Sequence, residues 1–415
     1  MPRPARLVAT LTAPLPFADA EGAPWLTPWP GGARLLVQRG ETELLVRETT
    51  APATAEPVRF PAPWPRRYRD AAVSPTLDLA VFSGPHGLRA VDRTGAVRWE
   101  LAHGCWAGCE EGEAAAGATG PYSVTPHPVT PNSVTPALVV PHPDDRAHRY
   151  APRGSVEFSV DGTFVWAHVR GPLAGDGPGP GPGPGPGLGP DPDPASTPAP
   201  TPGEEEWLVL DAADGTVLAR VETGTAAAGS SHVPHPDSAR MGLTIGEGQD
   251  GSPLRWGHYD GRTLTVDSLG DDDLVLLAVS PGGDRLLTVT HDQETLAVHR
   301  LADGAVAAAL DASGIPSRGP EDVPEREDSE EDEEPNEAYF DYAGGFVDED
   351  TVIAGTVESD EEHDNLRHWL VGADRMAYAE VVDYPFPIEV PPTALGDGTW
   401  YTTSSADNAL HLWSL

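Results

Sequence analysis

The stretch from Leu274 to Leu310, LVLLAVSPGGDRLLTVTHDQETLAVHRLADGAVAAAL, constrains the fold more than any other part of the chain. It holds four apolar runs, each closed by turn residues. LVLLAVS ends at Pro281-Gly282-Gly283-Asp284, RLLTVT at His291-Asp292-Gln293-Glu294, and TLAVHRL at Ala302-Asp303-Gly304 before AVAAAL. Short runs rich in Val, Leu and Thr, cut by Gly, Pro and Asp, describe a four-stranded antiparallel meander.

The opening of the second strand, a turn followed by a hydrophobic run, recurs along the chain. It appears as PGGARLLVQ from Pro30, SPTLDLAVFS from Ser74, SVDGTFVWAHV from Ser159, HPDSARMGLTIG from His235, SPGGDRLLTVT from Ser280, VDEDTVIAGTV from Val347 and LGDGTWYTTS from Leu395. Measured between Pro30, Pro75, Val160, Pro236, Pro281, Asp348 and Gly396, the intervals are 45, 85, 76, 45, 67 and 48 residues. Each long interval carries a low-complexity insertion, and without it shrinks toward roughly 40–50 residues, the period of propeller blades.

The expected fold is therefore all-β: a seven-bladed β-propeller of four-stranded antiparallel blades. A single domain over 1–415 would hold blades at approximately 24–60, 71–101, 153–222, 232–267, 274–310, 338–381 and 384–415. The last blade is one strand short, and RLVATLTA, residues 6–13, has no blade of its own. This N-terminal run is expected to join the last blade and close the ring. Insertions at approximately 110–150, 174–204 and 314–337 are expected to be disordered, the second as a Gly-Pro tether and the third as an acidic, self-repelling run.

A third strand with its turn also repeats, in EWLVLDAADG from Glu206, LAVHRLADG from Leu296 and the closing DNALHLWSL, where Trp413 stands near the end. Together with SPGGDRLLTVTHDQETLAVHRLADG, this resembles the WD40-type propeller repeat over nearly the whole chain. Ser414 occupies the position of the repeat's signature Asp, and no regular Gly-His dipeptide appears.

In such a meander, the turn between strands two and three and the link to the next blade emerge on one face. The segments Ala102–Pro152, Gly171–Glu205, Asp311–Ala338 and Glu358–Asn365 all fall at those positions, which makes that face the expected working face. Trp64, Arg66, Arg67, Tyr68 and Arg69 of WPRRYRD lie on the link between blades one and two, and Trp106 on the next. Aromatics beside arginines suit a protein-binding hot spot and an anchor for an acidic partner; the alternative is internal pairing of the arginines with nearby carboxylates.

His103, Cys105 and Cys109 offer imidazole and thiolate donors to zinc if their glycine-containing link turns tightly, with His127, His142 or His148 as a fourth; the alternatives are a Cys105–Cys109 redox pair and a loop capped by Trp106. His168, His258, His291, His363 and His368 read as hydrogen-bonded blade residues, and no nucleophile elbow is present.

The net charge of −39 argues against nucleic acid and anionic membranes as partners. All 26 basic residues are arginine, so lysine-dependent chemistry is excluded. A short apolar start broken by Thr12 and Pro14, no apolar stretch of membrane-spanning length, and only Cys105 and Cys109 point to the cytoplasm. The expected function is a monomeric, non-catalytic scaffold or regulatory module that binds a protein partner and needs no cofactor. The alternatives are a metal-dependent propeller hydrolase or lyase with its site at the axial channel, and a small-ligand sensor.

Overall fold

The computed structural model describes residues 2–17, 23–28, 34–51, 55–66, 70–107, 148, 150–173, 205–270, 273–316, 338–358, 366–376, 379–388 and 390–415. Their strands form seven sheets, each built on a four-stranded antiparallel meander and arranged in chain order. The recurrent turn-plus-apolar openings become the second strands: Arg34–Arg39, Ala80–Ser83, Phe164–Arg170, Arg240–Gly246, Arg285–Thr290, Thr351–Glu358 and Thr399–Ser404. Most of the insertions at 110–150, 174–204 and 314–337 lie outside the described residues.

Burial explains why second and third strands read as continuous apolar runs. In blade five, Leu286 to Val289 and Leu296 to His299 are all buried, whereas the fourth strand, Val306–Asp311, is mostly exposed. The middle strands have a neighbouring blade on both faces, so neither face is left polar. The apolar clusters follow the interfaces between blades. Val81 and Leu88 of blade two pack on Phe158 and Val165 of blade three; Leu287 and Val298 of blade five pack on Phe346 and Val352 of blade six. Leu26 and Leu36 of blade one meet Leu410 and Leu412 of blade seven across the point of closure.

The tight turns between first and second strands repeat a serine device. Ser280 Oγ donates to Asp284 and accepts from Arg285 N–H at 3.2 Å; Ser74 Oγ donates to Asp78 at 2.6 Å and accepts from Leu79 N–H at 3.1 Å. Gly283, at φ 79°, supplies the left-handed residue this turn needs. Aspartates close the turns between third and fourth strands, as where Asp92 accepts from Thr94 and Ala96 N–H. Part of the chain's acidity is thus turn chemistry.

Closure takes the form expected from the orphan N-terminal run. Arg6–Thr12 pairs antiparallel with Ala409–Ser414, Arg6 opposite Ser414 and Thr12 opposite Ala409, giving the seventh blade its outer strand. A second latch has no counterpart in the repeat pattern. Arg3–Pro4 lies parallel to Ala379–Asp383 of blade six, and Ala5 N–H donates to Asp383 O at 2.8 Å. The N-terminus therefore ties two blades rather than one.

Buried indoles bind second and third strands together. Trp369 Nε1 donates to Thr356 Oγ1 at 2.8 Å in blade six, and Trp413 Nε1 to Thr402 Oγ1 at 2.9 Å in blade seven. In blade five His299 Nε2 meets Thr288 Oγ1 at 2.9 Å in the same position. So the departure from the repeat signature at Ser414 leaves the Trp–Thr contact intact.

Candidate functional site

The alternation of strand direction fixes which connections share a face. The departures after Ala107, Leu173, Pro316 and Glu358 all occur between second and third strands or between blades, hence on one side of the ring. Among the described residues, the opposite side carries the short serine and aspartate turns.

The residues expected to present a hot spot divide. Trp64 is 5 % exposed, donates from Nε1 to Ser83 O at 3.2 Å and lies under the Arg89 guanidinium, 5.5 Å from the ring centre. Trp106 is 2 % exposed and stands edge-on to His168 at 5.6 Å. Both indoles are buried and hold their links down, Trp106 as in the reading of a loop that it caps. Bare backbone beside them explains it: a Cβ on Gly84 would sit 2.7 Å from Trp64, and one on Gly154 2.8 Å from Trp106. Arg66 is half-buried, 3.7 Å from the Glu41 carboxylate. Arg67, Tyr68, Arg69 and Cys109 lie outside the described residues.

Arg66 lines a cavity of about 300 Å³ with Trp25, Arg39, Asp70, Arg153 and Ser230, drawn from four blades and opening on the same face. Arg39 is held from below: its Nη2 donates to Trp64 O at 2.7 Å and its guanidinium packs over Phe82 at 5.3 Å. Burial lowers its pKa to about 10, with Glu41 opposing that shift. Asp70 accepts from Val156 N–H at 2.7 Å and from Ala71 N–H at 3.0 Å, yet burial still raises its carboxyl above the usual range.

Nearby, Glu157 lies on the innermost strand of blade three, on the side opposite the core residues Val156 and Phe158. Burial pushes it up to about 8; the Phe158 N–H opposes the shift and the Asp70 charge adds to it. A carboxyl raised on folding keeps its proton while the unfolded chain has lost it. Its contribution to stability is complete below the unfolded value of 4.5 and falls away as pH rises to about 8. Glu157→Gln retains an acceptor for Phe158 N–H and removes the titration. Urea melts across this window are expected to lose slope and to show the variant more stable at pH 8, by roughly 2–4 kcal/mol after allowing for the partial exposure of Glu157. An unchanged slope would assign the titration elsewhere.

Behind the cavity runs a polar bracket between blades three and four. Ser230 Oγ contacts Ser155 Oγ at 2.8 Å and His168 Nδ1 at 3.0 Å; His168 Nε2 faces Glu205 at 3.3 Å. Ser155 Oγ meets His232 Nδ1 at 2.9 Å, and Trp207 Nε1 donates to His232 Nε2 at 3.0 Å. Burial would raise Glu205, but His168, Ala227 N–H and Thr225 together hold it below its usual range. Burial, with the His168 charge, lowers His232 to about 3. With His168 and Glu205 buried, the serines hydrogen-bonded to both histidines and the His168 ring facing the Glu205 carboxylate, the group acts as a strut between the blades. This agrees with His168 as a hydrogen-bonded blade residue, as do His291 on Ser252 and His368 on Tyr384.

The zinc-type donors also divide. His103 is buried with Nδ1 2.7 Å from Gly104 O, and burial lowers its pKa to about 4. It does not meet Cys105. Instead Cys105 Sγ lies 3.3 Å from His148 Nε2, and the pair is joined by His86, from the turn between the second and third strands of blade two. Sequence reading missed His86 because nothing in SGPHG announces a ligand. Only its place in a turn on the working face could have flagged it.

No protein-family model and no curated protein sequence matches the chain. Among solved structures it is similar to U3-55K and to the RRP9 WD40 repeats, each at 9 % identity and TM-score 0.49, with all of this chain covered and 100 % and 99 % of theirs. It is also similar to BBS1N, solved in complex with ARL6DN, at 11 % identity and TM-score 0.48, over 100 % of this chain and 98 % of that one. Among the described residues no helix is long and apolar enough to cross a membrane. By its own strand order and blade packing, the chain is a seven-bladed β-propeller.

Proposed function

We propose that the protein is a non-catalytic scaffold or regulatory module that binds a protein partner on the face from which its long segments depart. The one-sidedness of those departures supports this reading: segments 108–147, 174–204, 317–337 and 359–365 all begin and end on that face. Long connections are tolerated anywhere on a surface, so restriction to one side indicates use rather than drift. On this face, Arg39, Arg66 and Arg153 line one cavity of a chain whose net charge is −39. That local reversal of sign suits a partner that presents carboxylates, and steers it to the cavity. Net acidity disfavours nucleic acid and anionic membranes. A monomer in the cytoplasm completes the reading.

The test pairs capture with reconstitution. Tagged protein and a variant with short turns in place of 108–147, 174–204 and 317–337 are used to capture partners from native lysate. The candidate is then purified and titrated against both, and against Arg66→Glu. One stoichiometric protein is expected, lost from the short-turn variant and weakened about tenfold by Arg66→Glu. Equal binding to the short-turn variant would refute the reading, as would a lysate that yields no stoichiometric protein.

A further inference from the structure

We infer that His86, Cys105 and His148 form a binding site for a zinc-class divalent cation, which staples the returning end of the 108–147 segment to blade two. Their donor atoms all lie within 4.8 Å of one another, and Cys105 Sγ and His148 Nε2 are 3.3 Å apart. Metal–ligand bonds of about 2.0–2.3 Å in a tetrahedron set donors roughly 3.3–3.7 Å apart, so one pair is already at that spacing. The His86 and His148 rings are 4.9 Å apart between centroids and tilted by 44°. Rotation of these two half-buried side chains is enough to bring the third donor in.

Two of the three donors are preorganised by backbone. His103 N–H donates to His86 O at 2.9 Å and Trp106 N–H donates to Pro85 O at 3.0 Å. These bonds flank Cys105 and clamp its link against the turn that bears His86. Gly104 N–H donates to Arg170 O at 2.8 Å, and a Cβ at Gly104 would sit 2.0 Å from Gly171 O. Glycine there lets the link press onto blade three, and the buried Trp106 pins its far end. His148 arrives from the other side of 108–147, so an ion held by all three fastens both ends of that segment.

The donor chemistry selects the ion. One thiolate and two imidazoles are borderline-soft ligands that suit zinc over magnesium or calcium, and among the described residues they supply three of the four donors of a tetrahedral site. Binding by these three donors releases one proton, from the Cys105 thiol. The inference concerns the isolated chain and stands or falls independently of any partner.

Cobalt(II) titrated without oxygen into metal-free, full-length protein is the test. One equivalent is expected to produce a near-ultraviolet thiolate-to-cobalt charge-transfer band, bleached by one equivalent of zinc, and zinc is expected to raise the melting temperature. Cys105→Ser should abolish the band. His86→Ala and His148→Ala should each weaken cobalt binding roughly a hundredfold or more. Circular dichroism checks folding, and His86→Asn with His148→Asn replaces any alanine variant that fails it. Absence of the band in the parent protein would overturn the inference and leave a Cys–His hydrogen bond. So would a band that survives loss of both histidines.

Discussion

Deletion of residues 2–12 is expected to cost the protein most or all of its stability. The deletion strips the outer strand from blade seven and exposes the edge of Ala409–Ser414, every residue of which is otherwise buried. It also removes the parallel latch on Ala379–Asp383. Lost ladder bonds at about 1 kcal/mol each, with the burial of Ala9 and Leu11 against the Leu26–Leu412 cluster, come to roughly 5–10 kcal/mol. That is comparable with the whole stability of a folded domain. Denaturant melts of the truncated protein should show a collapsed or missing transition, and a synthetic peptide of residues 2–16 should restore it by pairing in trans. A truncated protein with the parent's transition would mean that the ring closes without its N-terminal strand.

Trp413→Ala is expected to destabilise the protein by about 4–6 kcal/mol, the sum of a large cavity and an orphaned hydroxyl. The indole is fully buried, 4.9 Å from the Tyr384 ring and 5.2 Å from that of Phe386, and it supplies the donor that Thr402 accepts. Trp413→Phe should recover most of the packing and cost about 1–2 kcal/mol. Urea midpoints for the two variants separate the contributions. If phenylalanine costs as much as alanine, the Trp–Thr bond rather than packing dominates this joint between blades six and seven.

Local reading reached far into this molecule because a blade is a local object. Its strands are consecutive, its turns are short, and the turn residues recur: Ser280 and Asp284 in blade five repeat Ser74 and Asp78 in blade two. Reading failed where a residue's neighbour is distant in sequence. Nothing in the links themselves shows that Trp64 and Trp106 are buried; Gly84 and Gly154, distant in sequence, leave room for them. His103 and Cys105 look like joint ligands two residues apart, but His103 N–H bonds to His86 O and its ring turns inward. That register leaves Cys105 facing His86 and His148 instead.

The sequence by itself determined the all-β class, the count of seven blades, the need for the N-terminal run to complete the last one, and the face from which the long segments depart. All four follow from strand periodicity and strand direction, which are properties of consecutive residues. Tertiary structure alone decided that Arg3–Pro4 latches onto blade six, that arginines from separate blades share a cavity, and that His86 joins Cys105 and His148. Each of these depends on how far one blade is rotated against the next. That rotation is set by side-chain packing across the interfaces, which the spacing of residues along a single strand does not encode.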